Sequence, residues 1–176
     1  RVGANFDHGY DGIADHVAGD AASHGPRSDD SREPLHGPAG LGIDRRRILD
    51  ALAFGEGKVT AHPIMSLSPF NAKDIAPHPY DPEAAKKLLA GAGWSDSDSD
   101  GVLDRGGAKF EFTLMTNLGN QIREDALVMI QDDLKKIGVA VKPQVREWTE
   151  FLDDTKAKRF QAYHMGWETD FIVSPF

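Results

Sequence analysis

The sequence contains no cysteine. This absence excludes disulfide bonds, thiolate nucleophiles and Cys-based zinc sites from the chain. It is compatible with an oxidising compartment but does not assign one. No apolar run approaches the roughly 20 residues that a membrane-spanning helix needs. The N-terminus also lacks the basic-then-apolar pattern of a signal peptide, so for an exported parent protein we expect that segment to be missing from this chain.

Basic residues are few, and the usual catalytic signatures are absent. The 20 Lys and Arg residues are outnumbered by 28 Asp and Glu residues, which gives a formal net charge of −8. Because the basic residues are also scattered, they form no nucleic-acid-binding face. The sequence has no Gly-x-Ser-x-Gly, no His-Glu-x-x-His and no phosphate-binding loop. A hydrolase or metal enzyme is therefore the least favoured class, and we expect neither catalysis nor a cofactor.

The second half of the chain alternates between strand and helix patterns. Period-two alternation and apolar runs predict strands, and the longer amphipathic stretches predict helices. In order, these are a strand at 109–116, a helix at 120–137, a strand at 139–145, a helix at 149–158 and a strand at 160–167. This order predicts an α/β fold with a mostly parallel sheet and crossover helices. Ligands of such sheets tend to bind beyond the carboxyl ends of the strands, where Trp167 and Asp170 lie.

The long helix has a distinct apolar face, and Gly138 is expected to end it. Residues of this face recur at helical spacing and are predicted to cover the sheet. They are Ile122, Ala126, Met129, Ile130, Leu134 and Ile137.

The first part of the chain has a different composition. Residues 1–41 are rich in Gly, Ala, Asp, His and Arg and contain few large apolar side chains. We expect an irregular, loosely packed arm there, followed by an α/β lobe at 42–176. Asp44 is expected to cap a helix. Arg45, Arg46 and Arg47 are interpreted as its solvated face rather than as a phosphate-binding patch.

An Asp-rich stretch resembles the start of a calcium loop. Asp96, Asp98 and Asp100 fall at positions 1, 3 and 5, and Asp104 falls at position 9. Position 12, where a Glu should complete the coordination, is Gly107. Because Asp and Ser also favour turns, the alternative is a plain turn that leads into the strand at 109–116.

Several short sequence motifs in the chain resemble those of one known family. Two of these motifs, the helix start at residues 80–89 and the helix end at 134–138, are specific for the family when they occur together. The whole set of motifs resembles the C-terminal lobe of the extracytoplasmic solute-binding proteins of peptide-type ABC importers (family 5). This family includes dipeptide-, oligopeptide- and nickel-binding proteins. The motifs are Gly42-Ile43-Asp44-Arg45, Tyr80-Asp81-Pro82-Glu83-Ala84-Ala85-Lys86-Lys87-Leu88-Leu89, Gly93-Trp94, Gly119-Asn120 with Arg123, Leu134-Lys135-Lys136-Ile137-Gly138, Glu147-Trp148 and Gly166-Trp167-Glu168-Thr169-Asp170.

The resemblance implies a fold, a function and two site residues. It implies one lobe of a periplasmic-binding-protein-like clamshell that binds a peptide or similar solute without chemical change. The parent system would be periplasmic or extracytoplasmic and would work with the membrane subunits of an ABC transporter. In peptide-binding members, the acidic residue after the Gly-Trp anchors the ligand's ammonium, and the Trp lines the pocket. Asp170 and Trp167 match these positions; the alternative is that Asp170 caps a turn and Trp167 packs in the core.

Some features depart from the family pattern. Residues 1–40 do not resemble it, and the first lobe that would close over the ligand is not in this sequence. We therefore expect an incomplete lobe that binds ligand weakly or undetectably alone. The alternative function is an isolated stable fragment without independent ligand binding, which self-associates into a homo-oligomer through its exposed inter-lobe face.

Overall fold

The computed structural model describes residues 36–61 and 76–166 of the chain. In chain order, the elements are α1 His36–Gly42, α2 Arg45–Leu52, α3 Pro82–Gly91, β1 Asp104–Arg105, β2 Ala108–Lys109, β3 Glu111–Asn117, α4 Gln121–Lys135, β4 Ala140–Arg146, α5 Trp148–Lys156 and β5 Ala162–Tyr163. The predicted alternation of strands and helices is confirmed over the described residues. The final strand is shorter than the predicted one, because its described pairing is limited to two residues.

A three-stranded parallel sheet is the centre of the fold. Its strand order is β4-β3-β5, and β3 is parallel to both neighbours. Strand β3 pairs along its whole length with β4, from Glu111 opposite Ala140 to Asn117 opposite Arg146. It pairs with β5 only at Leu114 and Met115. Parallel strands need crossover connections, which α4 and α5 provide. The prediction of a mostly parallel α/β sheet is therefore confirmed.

Helix starts follow from side chains that accept backbone N–H groups. Asp44 accepts from the Arg47 N–H, and Asp81 accepts from the Ala84 N–H, with a proline in the first turn after Asp81. Asn120 caps α4. Such caps satisfy donors that have no partner inside the helix. These side chains therefore set the first residue of three of the helices.

Gly138 reverses the chain between α4 and β4. Its φ is +80°, which is a left-handed conformation that favours glycine. A methyl group at this position would lie 2.7 Å from Cγ of Leu103. The positive φ and the lack of space for a side chain together explain why glycine occupies this turn.

One hydrophobic core joins α1, α2, α3 and α4 to the sheet. Removing apolar side chains from water stabilises the fold by about 25 cal/mol per Å². The buried members of this core are Ala39, Ile43, Ile48, Ala85, Leu89, Phe110, Phe112, Leu114, Ala126, Leu127, Ile130, Leu134, Ile137, Val139, Val141 and Ala162.

The predicted apolar face of α4 is confirmed except at its start. Ala126, Ile130 and Leu134 are buried, and Met129 packs against the core. Ile122 is 45% exposed, so its assignment to the core is wrong. The buried residues of α4 begin at Ala126.

The structure differs from expectation at the N-terminal boundary. Residues 36–41 lie in α1, where Ala39 is buried in the core, so the packed part of the chain begins before residue 42. Residues 1–35 of the expected arm are outside the described residues.

The three arginines of α2 do not form one solvated face. Arg46 is exposed and pairs with Asp50. Arg45, by contrast, is buried and donates to the Gly40 carbonyl at 3.0 Å. Arg47 forms an ion pair of 2.8 Å with the fully buried Asp133. The expectation of one solvated arginine face is therefore wrong, because Arg45 is buried and Arg47, although its side chain is 40% exposed, pairs with a buried carboxylate.

In the described ranges, none of the helices combines the length and apolar character needed to cross a bilayer.

Candidate ligand-binding site

The carboxyl ends of the strands meet at one edge of the sheet. Asn117 ends β3 opposite Arg146, which ends β4. The pairing continues one residue further, where the Leu118 N–H donates to the Arg146 carbonyl at 2.6 Å. Beyond β5, the His164 N–H donates to the Met115 carbonyl at 2.8 Å. Sheets of this kind bind ligands at this edge, which we call the carboxyl edge.

Arg123, in the first turn of α4, connects two strand ends at the carboxyl edge. Its Nη1 donates to Oδ1 of Asn117 at 2.6 Å, and its Nη2 donates to the Gly166 carbonyl at 3.2 Å. Asn117 is buried and donates in turn to the Leu118 carbonyl at 3.1 Å. A cation at a helix N-terminus is disfavoured by the helix dipole. The two hydrogen bonds contribute to offsetting that cost, and they join the end of β3 to the chain leaving β5.

The absence of a side chain at Gly166 allows this contact. A methyl group there would lie 3.3 Å from Nη2 of Arg123 and 3.8 Å from its Nε. The first separation is tighter than most van der Waals contacts and the second is ordinary, so an alanine at this position would require the guanidinium to shift by a few tenths of an ångström.

His164 is a buried, neutral histidine at the same edge. It is 4% exposed, and its carbonyl accepts a hydrogen bond of 2.9 Å from the Thr116 hydroxyl. Burial, together with the nearby charge of Arg123, lowers the pKa of His164 to about 4. The imidazole is therefore uncharged at neutral pH, because a second cation next to Arg123 would lack solvation.

Exposed apolar side chains lie around the carboxyl edge. Leu118, Ile122, Val145 and Trp148 are each more than two-fifths exposed although they belong to the ends of packed elements. Trp148 stacks on the fully buried Phe151, with 6.0 Å between ring centroids. Apolar surface of this kind is typical of regions that contact a ligand or another protein surface.

Comparison with known proteins identifies the family. The family described as bacterial extracellular solute-binding proteins, family 5 middle, matches residues 39–176. The chain belongs to this family. The oligopeptide-binding protein AppA of Bacillus subtilis is 43% identical over 129 residues, which cover 71% of this chain and 24% of that protein.

A second relative and a solved structure agree with this assignment. A protein of Deinococcus radiodurans named as a probable ABC transporter-binding protein is 48% identical over 63 residues, covering 35% of this chain and 11% of that protein. The structure of AppA in complex with a nonapeptide has a TM-score of 0.72 at 40% identity and covers 76% of this chain and 27% of that one. The expected fold, an α/β lobe of a binding protein, is confirmed. This family member spans only about a quarter or less of the length of these curated relatives.

The two site residues expected from the sequence, Trp167 and Asp170, lie outside the described residues. The last described residue is Gly166, which is bonded to Trp167 and lies at the carboxyl edge through its contact with Arg123. The roles of Trp167 and Asp170 therefore stay predictions. Sequence reasoning did not assign Arg123 or Asn117 to the site. One available signal was the position of Arg123, because a cation in the first turn of a helix needs a compensating partner.

The Asp-rich stretch folds as a turn held by its own backbone. Asp96 accepts from the Asp100 and Gly101 N–H groups at 3.1 and 2.9 Å. Asp104 accepts from the Ser97 N–H at 3.0 Å and from the Ser97 hydroxyl at 2.8 Å. The predicted turn before the strand is therefore confirmed.

The Lys109 ammonium group lies among the carboxylates of this turn. Its Nζ is 2.6 Å from Asp98, 3.0 Å from Asp100 and 3.7 Å from Asp104. Hydrogen bonding to Asp98 raises the pKa of Lys109, so the ammonium stays charged. Carboxylate oxygens of Asp96, Asp98 and Asp104 lie within 4.8 Å of one another. Calcium binding by this turn stays a prediction, and a calcium ion would compete with the ammonium for the same oxygens.

Proposed function

We propose that this chain forms the C-terminal lobe of the solute-binding component of an ABC-type importer, and that the solute is a peptide or a similar small molecule. The observation that carries this proposal is the 43% identity to an oligopeptide-binding protein whose solved structure holds a nonapeptide. The proposed activity is reversible binding without chemical change.

The proposed ligand contacts are Asp170 and Trp167. The family match extends over both residues because it covers 39–176. A carboxylate shielded from water attracts the ammonium group of a peptide strongly. An indole adds apolar contact area and a ring face that attracts cations. The position of Gly166 supports this assignment, because it brings the chain to the carboxyl edge directly before Trp167.

The proposed partners are a facing lobe and the membrane subunits of the importer. The facing lobe would cover the exposed apolar side chains of the carboxyl edge and exclude water from the ligand. Membrane subunits are supported by the Deinococcus relative, which is named for an ABC transporter. The corresponding compartment is periplasmic or otherwise extracytoplasmic.

A chimera tests the proposal with both lobes present. Residues 39–176 of this chain would replace the matching segment of the Bacillus protein. Isothermal titration calorimetry would compare a defined nonapeptide with its N-acetylated twin, which has no ammonium group. We expect the chimera to bind the free peptide. N-acetylation or Asp170→Asn should lower the affinity by roughly tenfold to a hundredfold, because each removes a charge-assisted hydrogen bond worth about 1.5–3 kcal/mol.

Asp153→Asn is the matched control, because Asp153 is an exposed carboxylate on α5. It should bind as the unmodified chimera does. If the chimera folds and binds no nonapeptide, the proposed function is wrong. If it binds and Asp170→Asn leaves the affinity unchanged, Asp170 is not the ammonium anchor.

The exposed apolar side chains also favour a second candidate, self-association of the isolated chain. Leu118, Ile122, Val145 and Trp148 all belong to the carboxyl edge, where a second copy could cover them. Native mass spectrometry of the 176-residue chain would then find dimers that Trp148→Lys converts to monomers. A monomer at all concentrations would reject this candidate.

A further inference from the structure

Arg123 is the residue at the carboxyl edge whose geometry most needs an explanation. Its guanidinium contacts two acceptors on different strand ends, Asn117 after β3 and Gly166 after β5. A planar guanidinium can donate to two separate acceptors at fixed angles, whereas the ammonium of lysine is a single point charge on a flexible chain. This geometry suits a residue that holds two strand ends in register.

Arg123 occupies an electrostatically unfavourable position. It lies at the positive end of the α4 dipole, and its charge contributes to lowering the pKa of the buried His164. Asn120 already caps the helix, so α4 does not need the arginine side chain to begin. The hydrogen bonds to Asn117 and Gly166 contribute to compensating for this placement.

The chain leaving β5 has few other described connections. Strand β5 pairs with β3 at two positions only, and the sheet hydrogen bonding continues one step further, at the His164 N–H. The His164 carbonyl is then bound by the Thr116 hydroxyl. Two residues later, the contact from Arg123 to the Gly166 carbonyl fixes the point where Trp167 is attached.

We propose that Arg123 is a positioning residue of the ligand-binding segment, which holds Gly166 against the end of β3 and thereby directs Trp167 and Asp170 to the ligand. This proposal rests on the proposed function. Arg123 acts through the chain that it holds and does not itself bind the peptide. Gly166 contributes to the same contact, because the absence of a Cβ atom lets the guanidinium of Arg123 approach its backbone.

Fluorine NMR of the 176-residue chain tests the positioning contact without a ligand. The three tryptophans would be labelled with 5-fluorotryptophan, and substitution of each would assign its resonance. We expect Arg123→Met, which keeps the length of the side chain and removes its donors, to shift or broaden the Trp167 resonance. Trp94 packs against Phe110 at the border of the core, with 4.5 Å between ring centroids, and serves as the internal control.

Three further variants separate positioning from general stability. Arg123→Lys should shift the Trp167 resonance less than Arg123→Met, because an ammonium can keep one of the two hydrogen bonds. Gly166→Ala should also shift it, because the new methyl group would lie 3.3 Å from Nη2 and require the guanidinium to move by a few tenths of an ångström. Arg46→Met is the control, because it removes an exposed arginine that pairs with Asp50 on α2. It should leave the Trp167 resonance unchanged.

An unchanged Trp167 resonance in Arg123→Met would overturn the proposal. If Arg123→Met unfolds and therefore moves all three resonances, Arg123→Lys is used as the test instead. An unchanged Trp167 resonance in Arg123→Lys would then also overturn the proposal. In the chimera described above, Arg123→Met should weaken nonapeptide binding by about tenfold, because the segment would have to be ordered on binding.

The two measurements distinguish the two proposals. A Trp167 resonance that moves, together with an unmodified chimera that binds no nonapeptide, supports the contact and rejects the proposed function. Nonapeptide binding that Arg123→Met leaves unchanged rejects the positioning role while the proposed function stands.

Discussion

Asp133→Asn should destabilise the fold, because Asp133 is a fully buried carboxylate that accepts hydrogen bonds from three donors. Its Oδ2 accepts from the Asp44 N–H at 3.0 Å, and its Oδ1 accepts from Arg47 and Lys136, each at 2.8 Å. These contacts attach the start of α2 to the end of α4. The substitution keeps the shape of the side chain but removes its charge and turns one acceptor into a donor that faces two cations.

The magnitude follows from the exposure of the partners. Breaking a fully buried ion pair costs about 3–5 kcal/mol, because it leaves an unpaired charge without water. The side chains of Arg47 and Lys136 are 40% and 51% exposed, so water can solvate both after the change. The amide oxygen can also keep one of the three hydrogen bonds. We therefore expect a loss of about 2–3 kcal/mol in the free energy of unfolding, which lowers Tm by roughly 8 °C in a domain of this size.

Urea denaturation followed by tryptophan fluorescence measures this difference. Asp132→Asn is the matched control, since it makes the same chemical change at the preceding residue, which is exposed. Its free energy of unfolding should stay within about 0.5 kcal/mol of the wild type. If the two variants are equally stable, the buried carboxylate does not hold α2 to α4, and our reasoning is refuted.

Two further predictions concern His164 and Lys109. The unfolded chain protonates His164 near its ordinary pKa of 6.5, whereas the folded chain does so at about 4. Stability should therefore fall by roughly 3 kcal/mol as the pH drops through this window. Urea denaturation near pH 7 and pH 4.5 should show that His164→Gln lacks this part of the loss; a pH-independent difference between the two proteins would contradict it. Lys109→Met should lower Tm because the surrounding carboxylates lose their counter-ion. Millimolar calcium should restore Tm in this variant but not in Lys142→Met, which loses an exposed ion pair with Glu111; equal calcium responses would argue against a role for the Asp-rich turn.

Much of the fold could be predicted from local patterns. Period-two alternation located β3, and helical periodicity located α4. The caps at Asp44, Asp81 and Asn120 set the helix starts because an acceptor side chain and the N–H groups that it binds are within three residues of each other. Strands that alternate with helices have few alternatives to parallel pairing. The family motifs added the expected function, which the family match supports over residues 39–176.

The sequence by itself therefore determined the alternation of strands and helices from β3 onward, their boundaries within a few residues and the parallel sheet, since these depend on neighbours along the chain; it did not predict α1 or the short strands β1 and β2. Only the tertiary structure decided which charged residues are buried and what they hold. Arg47 meets Asp133 across 86 residues, and Arg123 meets Gly166 across 43. In the sequence, Arg47 was assigned to a solvated helix face, and no partner was predicted for Arg123. Their partners are brought to them by packing of the core, and a pairing of this kind leaves no periodic trace in the chain.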